Sequence, residues 1–172
     1  VLVRWEEHLG DCGLRIADRG FEKRAKVYVR EHRAHPFRFS GRAGGRLAEL
    51  LASKPADAFA NANCLGGFRG AKCVHVDPHG NVFSGTCSGI VLGNINETPL
   101  EDIWKRFDPH RGALVAVLCP DGPYGLLEEA RSLGYGELPA YASKCHLCTH
   151  IRQFLFERGS HPCVIGPAEC YA

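Results

Sequence analysis

The chain has 172 residues, a formal net charge of +2, 45% hydrophobic residues and 23% charged ones, the balance of a folded globular protein and not of a disordered one. So small a net charge argues against a dedicated nucleic-acid binder, and no apolar run approaches the ~18 residues of a membrane span. The N-terminal Val-Leu-Val-Arg-Trp-Glu-Glu carries charges where an export signal needs its apolar stretch.

Two counts are abnormal: nine cysteines and no methionine. A start at Val1 without any methionine reads as a processed or truncated piece of a longer polypeptide. Nine is odd, so complete internal disulfide pairing is excluded. Without an export signal, the cysteines are expected to ligate a metal or cluster in a reducing, cytoplasmic compartment.

Composition divides the chain. Residues 1–60 hold twelve Lys or Arg, eight Asp or Glu and only Cys12, whereas residues 61–172 hold nine basic residues, eleven acidic ones and eight cysteines. Ser53-Lys54-Pro55-Ala56-Asp57 reads as the connection, giving parts 1–57 and 58–172. Lys26–Arg30 alternates polar and apolar residues, a strand pattern. A loop through His35-Pro36 follows, then a helix over Gly44–Ala52 with Leu47, Leu50 and Leu51 at helical spacing. This is compatible with the last unit of an α/β fold, too short to bury much core alone.

The second part opens on Asn63-Cys64-Leu65-Gly66-Gly67-Phe68. Ala71–Val76 reads as a strand with Val74 and Val76 on one face, Pro78-His79-Gly80-Asn81 as a turn, and Asn81-Val82-Phe83 as the return strand. The hairpin places Cys73 on one strand and Cys87 just past the other. Thr98 as N-cap, Pro99 at the first helical position and Glu101 predict a helix with Leu100, Ile103, Trp104 and Phe107 on its apolar face. Asp108-Pro109 repeats the signal for a helix to about Leu118. Pro123–Leu133 is the next helix, stopped by Gly134, and Cys148–Phe156 the last. The fold class expected is α+β.

Chemistry is concentrated in Cys145-His146-Leu147-Cys148, whose two-residue gap lets both sulfurs converge on one metal. Alone, the motif is ambiguous among zinc, iron–sulfur and redox dithiol chemistry. Cys64, Cys73 and Cys87 upstream and Cys163 and Cys170 downstream complete a set of seven candidate ligands. Cys12 and Cys119 fit better as buried structural thiols. Of the neighbouring histidines, His79 belongs to a water-facing turn, His146 is expected to point outward, and His75 lies opposite the two valines. His150 is a further side chain near the candidate ligands. Gly66-Gly67 and Gly70 match neither a Walker nor a dinucleotide motif; their expected role is to let backbone amides approach sulfur. Arg30, Arg33, Arg38, Arg42 and Arg46 read as a solvated basic face. No Ser-His-Asp or paired-carboxylate arrangement stands out.

The stretch from Cys64 and Cys73 through Val74-His75-Val76-Asp77-Pro78-His79-Gly80-Asn81-Val82, Cys87, Leu92-Gly93-Asn94-Ile95 and Pro99-Leu100-Glu101-Asp102-Ile103-Trp104 resembles the SPASM/Twitch auxiliary domain of radical S-adenosylmethionine enzymes. The late Cys145-x-x-Cys148 completes the likeness, which covers roughly residues 60–172. Gly41-Arg42-Ala43 resembles a motif near the end of that family's partial (β/α) barrel, which assigns residues 1–57 to the barrel's end.

The resemblance implies one or two oxygen-sensitive [4Fe–4S] clusters that help engage a peptide, protein or small-molecule substrate, in an oxidoreductase or maturase. Cys64, Cys73 and Cys87 match the first-cluster ligands, Cys145 and Cys148 open the late group, and Cys163 and Cys170 would finish it. The family keeps its late cysteines close, however, and here fourteen residues separate Cys148 from Cys163. A one-cluster, Twitch-like version would use Cys64, Cys87, Cys145 and Cys148, with Cys73 as a further candidate. The Cys-x3-Cys-x2-Cys that holds the S-adenosylmethionine-cleaving cluster is absent, so that cofactor and the catalytic barrel are expected N-terminal to Val1. The main rival is a zinc-stapled, four-cysteine binding module without catalysis; a disulfide-framed exported domain comes third. Neither nucleic acid nor membrane is expected as a partner.

Overall fold

The computed structural model describes residues 26–27, 30–31, 48–69, 73–85 and 87–171. Cys12, His35-Pro36, Gly41-Arg42-Ala43, Gly70 and the basic residues Arg33, Arg38, Arg42 and Arg46 lie outside them. The described part is α+β, helices with one antiparallel sheet of three strands in the order β1-β2-β3.

Turn chemistry makes the hairpin. β1 (Val74–Val76) and β2 (Asn81–Ser84) pair with Val76 opposite Val82. Between them one Asp77 side-chain oxygen accepts the N–H groups of His79 and Asn81, at 2.8 and 2.9 Å, and the other accepts the Asn81 amide at 2.9 Å. Gly80, at φ +84°, takes the left-handed corner that side chains resist. β3 (Val91–Asn94), not expected from its sequence, joins β2 with a register shift between Val82 and Phe83. Asn94 and Asn96 donate their amides to the His79 carbonyl at 3.0 and 2.9 Å, locking β3 against the turn. Val74 is half-buried and Val76 exposed, so the shared valine face is only partly covered.

Several boundaries differ from expectation. Lys26, Val27, Arg30 and Glu31 are helical, not extended; the alternation over Lys26–Arg30 is too short a run to separate strand from helix. Of the helix expected over Gly44–Ala52, the described residues contain only a 3-10 turn, Glu49–Leu51. After α1 (Leu65–Arg69) and the sheet, α2 is Leu100–Arg106, with Pro99 and not Thr98 at the cap position. The Pro99 carbonyl accepts from the N–H groups of Asp102 and Ile103. Of its expected apolar face only Ile103 is buried; Trp104 is 38% exposed and stacks on Phe107, which stacks on Phe68.

Asp108 forms a side-chain turn, accepting the His110 N–H at 2.9 Å, instead of opening a helix. Gly112, at φ +85°, interrupts, and α3 runs Val115–Asp121. The Pro123–Leu133 helix is a 3-10 turn, Gly122–Leu126, followed by α4 (Leu127–Ser132), and closes as expected at Gly134, φ +89°. The last helix, α5 (Lys144–Glu157), begins four residues before its expected start. Ser143, in extended conformation, caps it by accepting the His146 N–H at 3.2 Å.

The core lies where α3, the Gly122–Leu126 turn, α4 and α5 meet. Leu114, Leu118, Leu126, Leu127, Leu147 and Ile151 are at most 1% exposed. Leu147, Ile151 and Leu155 recur every four residues and form the buried stripe of α5. The expected connection is tied into this core. Lys54 forms an antiparallel bridge with Tyr141, the Tyr141 N–H donates to the Lys54 carbonyl at 2.7 Å, and Ala56 and Phe59 are buried. Cys119 is 1% exposed, the buried structural thiol expected of it. No helix among the described residues is long and apolar enough to cross a membrane.

Candidate metal centre

Cys64, Cys87 and the pair Cys145 and Cys148 stand on three segments held together by long-range bonds. Cys64 immediately precedes α1; its N–H donates to the Leu118 carbonyl at 3.0 Å, and its carbonyl accepts the Gly67 N–H at 2.9 Å. Cys87 follows β2 in a tight turn, its N–H on the Ser84 carbonyl at 2.8 Å. The Ser84 hydroxyl donates to the Gly67 carbonyl at 3.2 Å, and a Cβ on Gly67 would stand 3.6 Å from the Cys87 sulfur. Cys145 and Cys148 occupy the first turn of α5, three residues apart and so on one face. The Lys144 ammonium donates to the Asn63 carbonyl, which joins that turn to the residue before Cys64.

Arg152 closes the remaining side. One turn beyond Cys148 and 4% exposed, it donates Nε–H to the Cys148 sulfur at 3.3 Å. Its Nη1 donates to the Ser88 carbonyl at 3.0 Å and to the Tyr171 hydroxyl at 2.6 Å, and that hydroxyl donates in turn to the Gly89 carbonyl at 2.6 Å. Burial opposes the guanidinium's charge, but Cys148, Tyr171 and Cys87 favour it more, and its pKa rises above the ordinary value.

The electrostatics show the same convergence. Burial, then the charges that Cys148, Cys87 and Cys145 would carry, push the Cys64 thiol up to about 12, with Lys144 acting in the opposite direction. Were all four thiolates, their charges would repel one another, and a multiply charged metal centre would offset that repulsion. As the side chains stand, the described residues contain no group of three or more His, Cys, Asp or Glu that could hold a metal ion. The four sulfurs therefore share a neighbourhood without yet forming a closed coordination sphere. The donor set, four thiols with a buried cation beside them, fits a thiolate-ligated centre.

The other candidates stand differently. Cys73 is exposed just before β1 and not on the strand, its carbonyl accepting from Gly85 at 3.1 Å, and Cys163 is exposed at φ +65°. Cys170 is half-buried beside Tyr171. No disulfide joins the described cysteines. His79 lies in an exposed turn as expected, and His75 is half-buried. His146 does not point outward; it is 0% exposed. The reason is that the cysteine pair lies in a helix and not in a loop, so the residue between them turns toward the core. Burial, and then His150, lower its pKa to about 4, and its Nδ1 accepts the Ala142 N–H at 3.2 Å. Its Nε2 and the Thr149 hydroxyl are buried without a hydrogen-bond partner, on the same turn as the cysteines. The Gly67 amide, expected near sulfur, is taken by the Cys64 carbonyl.

Sequence reasoning missed Arg152, Lys144 and Tyr171. Arg152 was within reach: an arginine four residues after Cys148 shares its face once the helix starts at Lys144. Comparison with protein families, characterised proteins and solved structures returns no match.

Proposed function

We propose that residues 58–172 are an auxiliary [4Fe–4S] domain of Twitch type, with one cluster held by Cys64, Cys87, Cys145 and Cys148. The domain belongs to a radical S-adenosylmethionine oxidoreductase or maturase, and residues 1–57 complete its partial barrel. The observation that carries this reading is the joining of three cysteine-bearing segments through Lys144 to Asn63, Ser84 to Gly67 and Arg152 to Ser88. A single zinc would draw all four sulfurs to about 3.8 Å of one another, from a tetrahedral Zn–S length of about 2.3 Å. A cage of four irons takes thiolates at its corners, and so suits sulfurs that are gathered but not closed on one point.

In this reading the chain's own residues hold and shield the site. The first turn of α5 presents Cys145 and Cys148 together, Lys144 and Arg152 offset the thiolate charge, and the leucines behind α5 exclude water. When bound, the cluster would supply one-electron transfer, since four cysteine ligands would cap all four irons. S-adenosylmethionine cleavage is not assigned to these residues, which lack the motif for it; the substrate is a peptide, protein or small molecule presented to the neighbouring barrel.

Anaerobic purification followed by iron, sulfide and zinc analysis tests the proposal. Iron and labile sulfide are expected in equal amounts, lost in Cys64→Ala, Cys87→Ala, Cys145→Ala and Cys148→Ala and retained in Cys73→Ala and Cys163→Ala. Stoichiometric zinc without sulfide would overturn it in favour of a zinc-stapled binding module.

A further inference from the structure

Arg152 is an unusual residue to find in this core. Its guanidinium is charged at every accessible pH, and a buried charge without compensation is costly. Among the described residues it forms no ion pair with a carboxylate; its polar neighbours are a sulfur, a hydroxyl and a carbonyl. The protein nevertheless builds a precise seat for this cation. Gly89, at φ +83°, brings its loop so close that a Cβ there would stand 2.7 Å from Nη1 and 2.4 Å from the Tyr171 hydroxyl. The Tyr171 ring packs against the guanidinium at 5.4 Å. A seat made from a helix, a loop and the chain's last turn fixes the direction of Nε–H toward sulfur.

We propose that Arg152 is the built-in counter-charge of the four-cysteine centre and sets its reduction potential, a role that rests on the cluster reading above. One electron from a low-potential donor adds one negative charge to the cluster. A cation hydrogen-bonded to a ligand sulfur stabilises that reduced form more than the oxidised one, and so raises the potential. Arg152 is thus a positioning and tuning residue; it ligates nothing itself.

The test is an anaerobic dithionite titration, followed by electron paramagnetic resonance, of the full chain reconstituted with ferrous iron and sulfide. Arg152→Gln is expected to bind iron and sulfide in wild-type amounts and to be reduced at least tenfold less favourably, a fall of 59 mV for one electron. Arg158→Gln, an exposed charge at the C-cap of the same helix, should leave the potential in place. A fully loaded Arg152→Gln with the wild-type potential would overturn the proposal while leaving the cluster reading intact; wild-type protein without iron would sink that reading first. Should Arg152→Gln fail to fold, Arg152→Lys decides. It keeps the charge without the fixed fork and is expected to fall between the two, and a potential within twofold of wild type in equilibrium constant would overturn the hydrogen-bond role.

Discussion

Gly122→Ala probes how the core holds Cys64 in place. Gly122 caps α3 at φ +64°, ψ −163°, a region that is essentially glycine's alone, and a side chain there costs about 1–3 kcal/mol in backbone strain. An added Cβ would also lie 2.0 Å from the Ala62 carbonyl oxygen and 3.4 Å from the Asn63 Cα. Those are backbone atoms, which cannot rotate away, and overpacking of this kind adds about 1–3 kcal/mol. The sum, about 2–6 kcal/mol, is a large share of a total stability of about 5–15 kcal/mol. With a urea slope of about 2 kcal/mol/M, the unfolding midpoint of the metal-free protein should fall by about 1–3 M. Relief of the clash moves Ala62-Asn63 and with them Cys64, so iron retention should fall too. Gly134→Ala is the control: it has φ +89° but nothing within 4 Å, so it carries only strain, about 1–2 kcal/mol. Equal midpoints for the two variants would refute the claim that Ala62 presses on Gly122.

Tyr135 gives an alkaline signature. Burial first, then its hydrogen bond with Tyr141, raise the Tyr135 phenol above its ordinary value of 10.0. Above pH 10 the unfolded chain therefore releases a proton that the folded chain keeps; the stabilisation is complete below pH 10 and declines by about 1.4 kcal/mol per pH unit above it. Urea midpoints measured against pH should show that slope, and Tyr135→Phe should flatten it. Gly89→Ala forces a side chain into the Arg152–Tyr171 seat and should cost about 2–5 kcal/mol, strain and overpacking together. It should also speed loss of iron to a chelator; wild-type kinetics would mean that the loop does not hold Cys87 in place.

The parts legible in the sequence are those decided by local chemistry. Asp77, Gly80 and Asn81 specify their turn through bonds two to four residues long, so the β1–β2 hairpin is readable without the rest of the molecule. Asp108-Pro109 has equally local signals, but they suit a side-chain turn as well as a helix start, and Gly112 decides for the turn. For α5 the capping residue, Ser143, is a local signal, but a helix expected only from Cys148 leaves it outside and puts His146 on the wrong side. The site itself depends on bonds spanning 81 residues, from Lys144 to Asn63, and 64 residues, from Arg152 to Ser88. No local pattern announces such contacts, which is why the cysteines could be named but the buried cation between them could not.

The Lys54–Tyr141 bridge decides where the cysteine-bearing half can be cut out as a separate fragment. A piece beginning at residue 58 would strip Tyr141 of its backbone partners and leave out Ala56, which is buried in the core. A fragment meant to stand alone should therefore start no later than Ser53, although the composition changes several residues downstream.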